Sequence, residues 1–147
     1  RMDFSAVRRN ETSPLTGHKT LNYGDCILEH RAAAAAGMDE RIFLNTRGKL
    51  AEGTVSNFFL VSGGRIYTPA LSCGLLPGVL RSYLLERYRV EEGEIDPREL
   101  ENFDECFVTN SLMGVMPVRQ LGERIFPSRE TADRLRSAYE AEKGTLK

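Results

Sequence analysis

The sequence predicts an α+β fold. Short apolar strands broken by turn signals run through residues 38–71, helical segments flank that run on both sides, and a second strand group returns before a C-terminal helix. Strand runs mixed with a few helices indicate α+β architecture rather than a doubly wound sheet.

The elements follow in order. Residues 1–17 are polar overall and contain Ser13-Pro14 and Gly17, so they are expected to form a connecting segment and not a packed element. "NYGDCILEHRAAAAAG" reads as a helix: its alanine run has high helix propensity, Gly37 closes it, and Asn22 or Asp25 caps its start. "RIFLN" is a strand, "TRG" a turn, "KLAEGTVSNFFLV" a second strand with an irregular middle, "SGG" a tight hairpin turn and "RIYTP" a third strand. These three are expected to pair as an antiparallel meander. In "LPGVLRSYLLERYRV", Val79, Leu80, Tyr83, Leu84 and Tyr88 recur at helical spacing behind Pro77, so the whole stretch reads as an amphipathic helix. "DPRELENF" is a short helix capped by Asp96, "DECFVTN" a buried strand, "MPVRQLGERIF" a strand pair around Gly122, and "SRETADRLRSAYEAEKG" a terminal helix with Ser128 and Thr131 as caps.

Composition narrows the function. The chain has 147 residues, 41% hydrophobic and 28% charged, with a net charge of -1. That length can bury a real core, and the near-neutral balance lacks the clustered positive charge a nucleic-acid partner requires. No apolar run approaches the roughly 18 residues of a membrane span. Cys26, Cys73 and Cys106 are odd in number and widely spaced, which suits neither a disulfide framework nor a zinc site; buried reduced thiols and a cytoplasmic setting are expected. With His18 and His30 as the only histidines, no metal centre is expected. The abrupt start at Arg1 is what a piece of a longer protein would show.

Three places put polar or glycine residues among apolar neighbours. Lys19 stands in "LTGHKTLNY", where His18 is the only other ionisable group besides tyrosine. Glu52 and Ser56-Asn57 interrupt a strand-like run, and a buried carboxylate there needs a cationic partner. Gly78 opens a helix whose first amides are free donors for an anion, while Asn110 and Ser111 end a buried strand. Taken singly, these are a solvated lysine, a surface turn, a helix start and a strand end. As a set they are the groups pyridoxal phosphate needs: a lysine for its aldehyde, a carboxylate for its pyridine nitrogen, and amides with a hydroxyl for its phosphate.

The order of "HKTLNY", "LAEGTVSNFFLV", "GRIYTP", "LLPGVLR" and "DECFVTNSLMGVMPV" resembles the fold-type IV pyridoxal-phosphate enzymes, from about Asn10 to the C-terminus. This resemblance implies the larger, C-terminal domain of the D-amino acid aminotransferase-like fold, with mixed strands in a barrel-like sheet flanked by helices. Residues 18–147 would be the cofactor-binding domain, residues 1–17 the connection from an N-terminal domain that is absent, and a homodimer the expected assembly. It also implies that Lys19 is the Schiff-base lysine and proton shuttle, held neutral by a desolvated setting. Glu52 would pair with the pyridine nitrogen and Tyr23 lie near the ring hydroxyl. Leu76 would pack on the ring face, while Gly78, Val79 and Leu80 hold the phosphate through their backbone, with Asn110 and Ser111 beside it. Many relatives carry threonine where this chain has Leu80, so a hydroxyl contact gives way to an amide.

"NSLMG" is most similar to the corresponding turn of the aminodeoxychorismate lyases of this family. That likeness implies loss of the Cα proton, release of pyruvate and formation of 4-aminobenzoate, a folate precursor. A branched-chain or D-amino acid aminotransferase is the alternative, and a catalytically silent domain is a third reading, because half of the family's pocket is missing.

Overall fold

The computed structural model describes residues 1–21 and 23–145. Its α+β architecture is built on two five-stranded sheets. In the first, β10 (Arg124–Ile125), β9 (Gln120–Leu121), β1 (Met2–Arg9), β2 (Glu40–Asn45) and β3 (Leu50–Gly53) lie side by side. In the second the order is β6 (Val90–Gly93), β5 (Arg65–Pro69), β4 (Asn57–Ser62), β7 (Glu105–Asn110) and β8 (Gly114–Val118). The sheets curl into a half-barrel around a shared apolar cluster that includes Ile42 and Leu50 from one and Phe58, Leu60 and Val108 from the other.

The central strands β4 and β7 of the second sheet are buried on both faces, which explains why they read as continuous apolar runs. Phe58 and Leu60 point into the shared cluster, whereas Phe59 and Val61 point to a second cluster formed with α2 (Val79–Arg87) and α3 (Glu130–Thr145). There Phe59 and Phe107 stack with ring centroids 4.8 Å apart. Alternate residues of one strand thus serve two cores.

Several sequence-based expectations require correction. Residues 2–9 are not a connecting segment: they form β1, parallel to β2 with Met2 opposite Glu40, and Met2 is buried. Met2 and Phe4 alternate with Asp3, but Ser5 is buried and Ala6 exposed where the register shifts, so the pattern is too short to announce a strand. With α1 (Gly24–Ala35) as crossover, β1 and β2 make a βαβ unit. A second unit follows where β5 runs through α2 to the parallel strand β6, whose first residue, Val90, was read from sequence as the end of the helix. Tyr88 has extended backbone, which ends α2 before Val90.

The expected second strand is two strands in different sheets, so there is no three-stranded meander. Gly53 marks the break. A side chain on it would come within 2.2 Å of Ser56 Oγ and 2.8 Å of Glu40 Oε2, so glycine is what permits the chain to fold back on itself there.

Tyr23 occupies the N-cap of α1 without a side-chain cap bond, and Asp25 lies in the first turn, where its charge complements the helix dipole. Asn22, the other expected cap, lies outside the described residues. Asp96 does cap its segment, a 3-10 helix over Pro97–Asn102, by accepting from the Arg98 amide. Ser128 Oγ accepts from the Glu130 amide at 3.3 Å at the start of α3, whereas Thr131 lies inside that helix. No helix among the described residues is long and apolar enough to cross a membrane.

Candidate active site

The carboxyl end of β1, the β3–β4 crossing, the first turns of α1 and α2 and the end of β7 surround one cavity of about 640 Å³. All nine residues singled out from sequence line it: Lys19, Tyr23, Glu52, Leu76, Gly78, Val79, Leu80, Asn110 and Ser111. Both crossover helices place first-turn residues on its wall, where free helix-start amides favour an anion.

Lys19 follows a 3-10 turn over Pro14–Gly17 that Ser13 caps. The chain ahead of this turn is pinned by Glu11, whose carboxylate accepts from the Thr46 amide at 3.0 Å and the Thr46 hydroxyl at 2.6 Å. Those bonds, the hydroxyl's foremost, hold the Glu11 carboxyl down to about 2. Lys19 itself is exposed, so the expectation that burial desolvates its amine is not met; it stands in an open segment between the turn and α1.

Glu52 is 5% exposed and bonded through both oxygens. Oε1 accepts from Arg9 Nη2 at 2.9 Å, and Oε2 accepts from the Leu76 amide at 3.1 Å. Burial pushes its carboxyl up to about 7 against the opposing pull of Arg9. The same Arg9 nitrogen donates to Cys26 Sγ at 3.1 Å, and the guanidinium lies 4.6 Å from the Phe43 ring centroid. Arg9 was missed from sequence because it ends the strand read as a connection. The cationic partner that a buried Glu52 requires was the available clue.

Opposite, Asn57 shapes the approach to α2. Its Nδ2 donates to the Leu76 carbonyl at 2.9 Å, and a Cβ on Gly78 would come within 2.3 Å of its Oδ1. Leu76 is therefore gripped at its amide by Glu52 and at its carbonyl by Asn57. The first-turn amides of α2 have no intrahelical acceptors. Leu80 sends its side chain into the second core cluster, whereas Val79 is exposed at the cavity. Thr109 Oγ1, on the cavity wall, is buried and has no hydrogen-bond partner among the described residues. Ser111 is exposed at the strand end beside it, while the carboxamide of Asn110 is engaged by protein groups.

An amine, a buried carboxyl with a cationic neighbour, helix-start amides and an orphaned hydroxyl make a donor set suited to a phosphorylated aldehyde with a basic ring nitrogen. Among the described residues no group of three or more His, Cys, Asp or Glu side chains could hold a metal ion.

The fold is that of the class IV aminotransferases, a family of pyridoxal-phosphate-dependent enzymes. The sequence pattern of the amino-transferase class IV family matches residues 1–121, and the chain belongs to that family. It is 30% identical over 144 residues to the aminodeoxychorismate lyase of Bacillus subtilis (strain 168), covering 93% of this chain and 49% of the relative. The solved structure of 4-amino-4-deoxychorismate lyase from Pseudomonas aeruginosa superposes with a TM-score of 0.87 at 30% identity, covering 95% of this chain and 54% of that one. The T.th. branched-chain amino acid aminotransferase, solved with N-(5'-phosphopyridoxyl)-L-glutamate, gives 0.85 at 29% identity, covering 95% and 50%. The chain spans about a third to a half of the length of the relatives it matches.

Proposed function

We propose that this chain is the cofactor-binding part of a pyridoxal-phosphate-dependent aminodeoxychorismate lyase. The observation that carries the reading is the convergence of Lys19, the buried Glu52 and the first turn of α2 on one cavity. When bound, the cofactor supplies an electron sink for negative charge at the substrate Cα.

In this reading Lys19 would hold the cofactor through its aldehyde, and its amine, when free, would serve as the general base for the substrate Cα proton. Glu52 would meet the ring nitrogen, and a protonated nitrogen there would favour the ionised carboxylate against the burial that raises its carboxyl. Leu76 would pack on the ring face, and Tyr23 would lie near the ring hydroxyl. The amides of Val79 and Leu80 would hold the phosphate together with the Ser111 hydroxyl, whereas the Gly78 amide donates to the Leu76 carbonyl at 2.9 Å, and Thr109 Oγ1 is a further acceptor or donor on the same wall. Asn110 contributes by holding the turn that carries Ser111.

The "NSLMG" turn and the long match to the Bacillus subtilis lyase favour a lyase. A branched-chain or D-amino acid aminotransferase is the second reading, favoured by the equally good superposition on the T.th. aminotransferase. The experiment is pyruvate release from aminodeoxychorismate with pyridoxal phosphate, in the presence and absence of 2-oxoglutarate. Pyruvate without a keto acid supports the lyase, and a strict need for the keto acid supports the transaminase. A borohydride-stable pyridoxyl group on Lys19 with neither activity supports a silent cofactor domain. Self-association as a cytoplasmic homodimer belongs to the same proposal. Ile27 and Leu28, 49% and 65% exposed on α1, are apolar surface it would cover, and light scattering tests it.

A further inference from the structure

Glu40 opens β2, outside the cavity, yet it is 5% exposed and surrounded by donors. Its Oε1 accepts from the Arg41 amide at 2.8 Å, the Thr54 amide at 3.1 Å and the Thr54 hydroxyl. Its Oε2 accepts from the Val55 amide at 3.2 Å and Ser56 Oγ at 2.9 Å. A carboxylate with this many donors fixes the loop that supplies them. Here that loop is the crossing between the two sheets.

The loop has a second contact. The Val55 carbonyl accepts from Asn110 Nδ2 at 3.0 Å, across 55 residues of sequence. Asn110 Oδ1 then accepts from the Leu112 amide at 3.0 Å and the Met113 amide at 2.7 Å, closing the turn that carries Ser111. One hydrogen-bonded path thus runs from Glu40 through residues 54–56 to Asn110 and into residues 111–113. It joins the crossing between the sheets to the β7–β8 turn of the second sheet, both on the cavity wall.

We propose that Glu40 and Asn110 are positioning residues that lock the 54–56 and 111–113 loops into a single unit, and that this unit sets the place of the Ser111 hydroxyl. The link to Ser111 as a phosphate contact rests on the functional reading above; the mechanical coupling does not.

The test is amide hydrogen exchange on the chain and on Glu40→Gln. The amide side chain keeps the shape but loses acceptors at one of its two ends. Loss of about one net hydrogen bond should speed exchange at Leu112 and Met113 about fivefold. Phe107 and Val108, within β7, should keep their wild-type rates, which a general loss of stability would not allow. Unchanged exchange at Leu112 and Met113 would overturn the coupling. Should Glu40→Gln fail to fold, Asn110→Asp reads the path from its other end. It retains the acceptor for residues 112 and 113 but loses the donor to Val55, so the Thr54 and Val55 amides should exchange faster, and unchanged rates there overturn the proposal.

Titration with pyridoxal phosphate on the same proteins, followed by absorbance, separates the two layers. A wild-type chain that binds no cofactor defeats the cofactor reading and leaves the coupling standing on its exchange data. A wild-type chain that binds, with Glu40→Gln about fivefold weaker, supports the positioning role. Equal affinity in the two would overturn that role.

Discussion

The amide of Leu76 donates to Glu52 Oε2 at 3.1 Å, so the residue proposed to face the cofactor ring is fixed by the carboxyl proposed to meet its nitrogen. With Asn57 holding the Leu76 carbonyl, one short crossing between sheets fixes the whole approach to α2. A change at Glu52 therefore affects both the charge of the site and the placement of Leu76.

Glu52 makes the stability of the unliganded chain depend on pH. Its folded carboxyl titrates near 7, above the ordinary carboxylate range, because burial disfavours its charged form. The folded state therefore binds the proton more tightly than the unfolded state. This contribution is fully present below about pH 4.5 and is lost as pH rises through about 7, by an amount of the order of 3 kcal/mol. Urea unfolding at stepped pH should show this decline, and Glu52→Gln should flatten it.

Arg9 opposes that shift. Arg9→Met removes the ion pair, the bond to Cys26 and the cation over Phe43. The Glu52 carboxyl should then move higher still, and the falling limb of the pH profile should move with it. Leaving Glu52 without its partner is expected to cost about 3 kcal/mol at high pH, read from the same unfolding curves.

Lys19 is exposed, so removing it should leave the fold intact. Lys19→Ala is expected to unfold within about 0.5 kcal/mol of the parent. It should lose the borohydride-trapped pyridoxyl group entirely, as read by peptide mass. Trapping that persists at other lysines in the variant would count against the assignment.

Gly78→Ala introduces a Cβ 2.3 Å from Asn57 Oδ1. Overpacking at this contact should destabilise by about 2 kcal/mol. In the double variant Asn57→Ala/Gly78→Ala the clash is gone, so the two losses should be clearly less than additive in a thermal or urea cycle. Full additivity would show that the contact is not the cause.

Glu11 acts at the opposite end of the pH scale. Its carboxyl is held down to about 2, chiefly by the Thr46 hydroxyl, so the folded state favours its charged form. That contribution is present above about pH 4.5 and is lost as pH falls toward 2. Glu11→Gln should therefore shift acid unfolding to higher pH and weaken protection of the segment leading to Lys19.

Much of the fold was legible because its signals are local. The α1 alanine run ends at Gly37, the Asp96 cap lies where its spacing puts it, and the Gly63-Gly64 turn joins β4 to β5. The misses are relationships between distant residues. Nothing near Met2 announces Glu40 as its parallel neighbour, and nothing in "LAEGTVSNFFLV" states that its halves join different sheets. The chemical groups of the site were readable by type, and the cavity gathers all nine of them. Arg9 and the commitment of Asn110 to loop closure were not, since each depends on a partner more than 40 residues away.

The crossing at residues 54–56 also constrains how this chain can change in length. Glu52 and Asn57 bound it, and both must reach Leu76. A single inserted residue would shift the register of β4 by one, turning Phe58 toward the helices and Phe59 toward the other sheet. Insertions and deletions are thus confined to places such as the Gly63-Gly64 turn, which has open space around it, provided the two glycines, both at positive φ, are kept. A fluorescent or affinity label belongs there, on a hairpin whose glycines do not line the cavity.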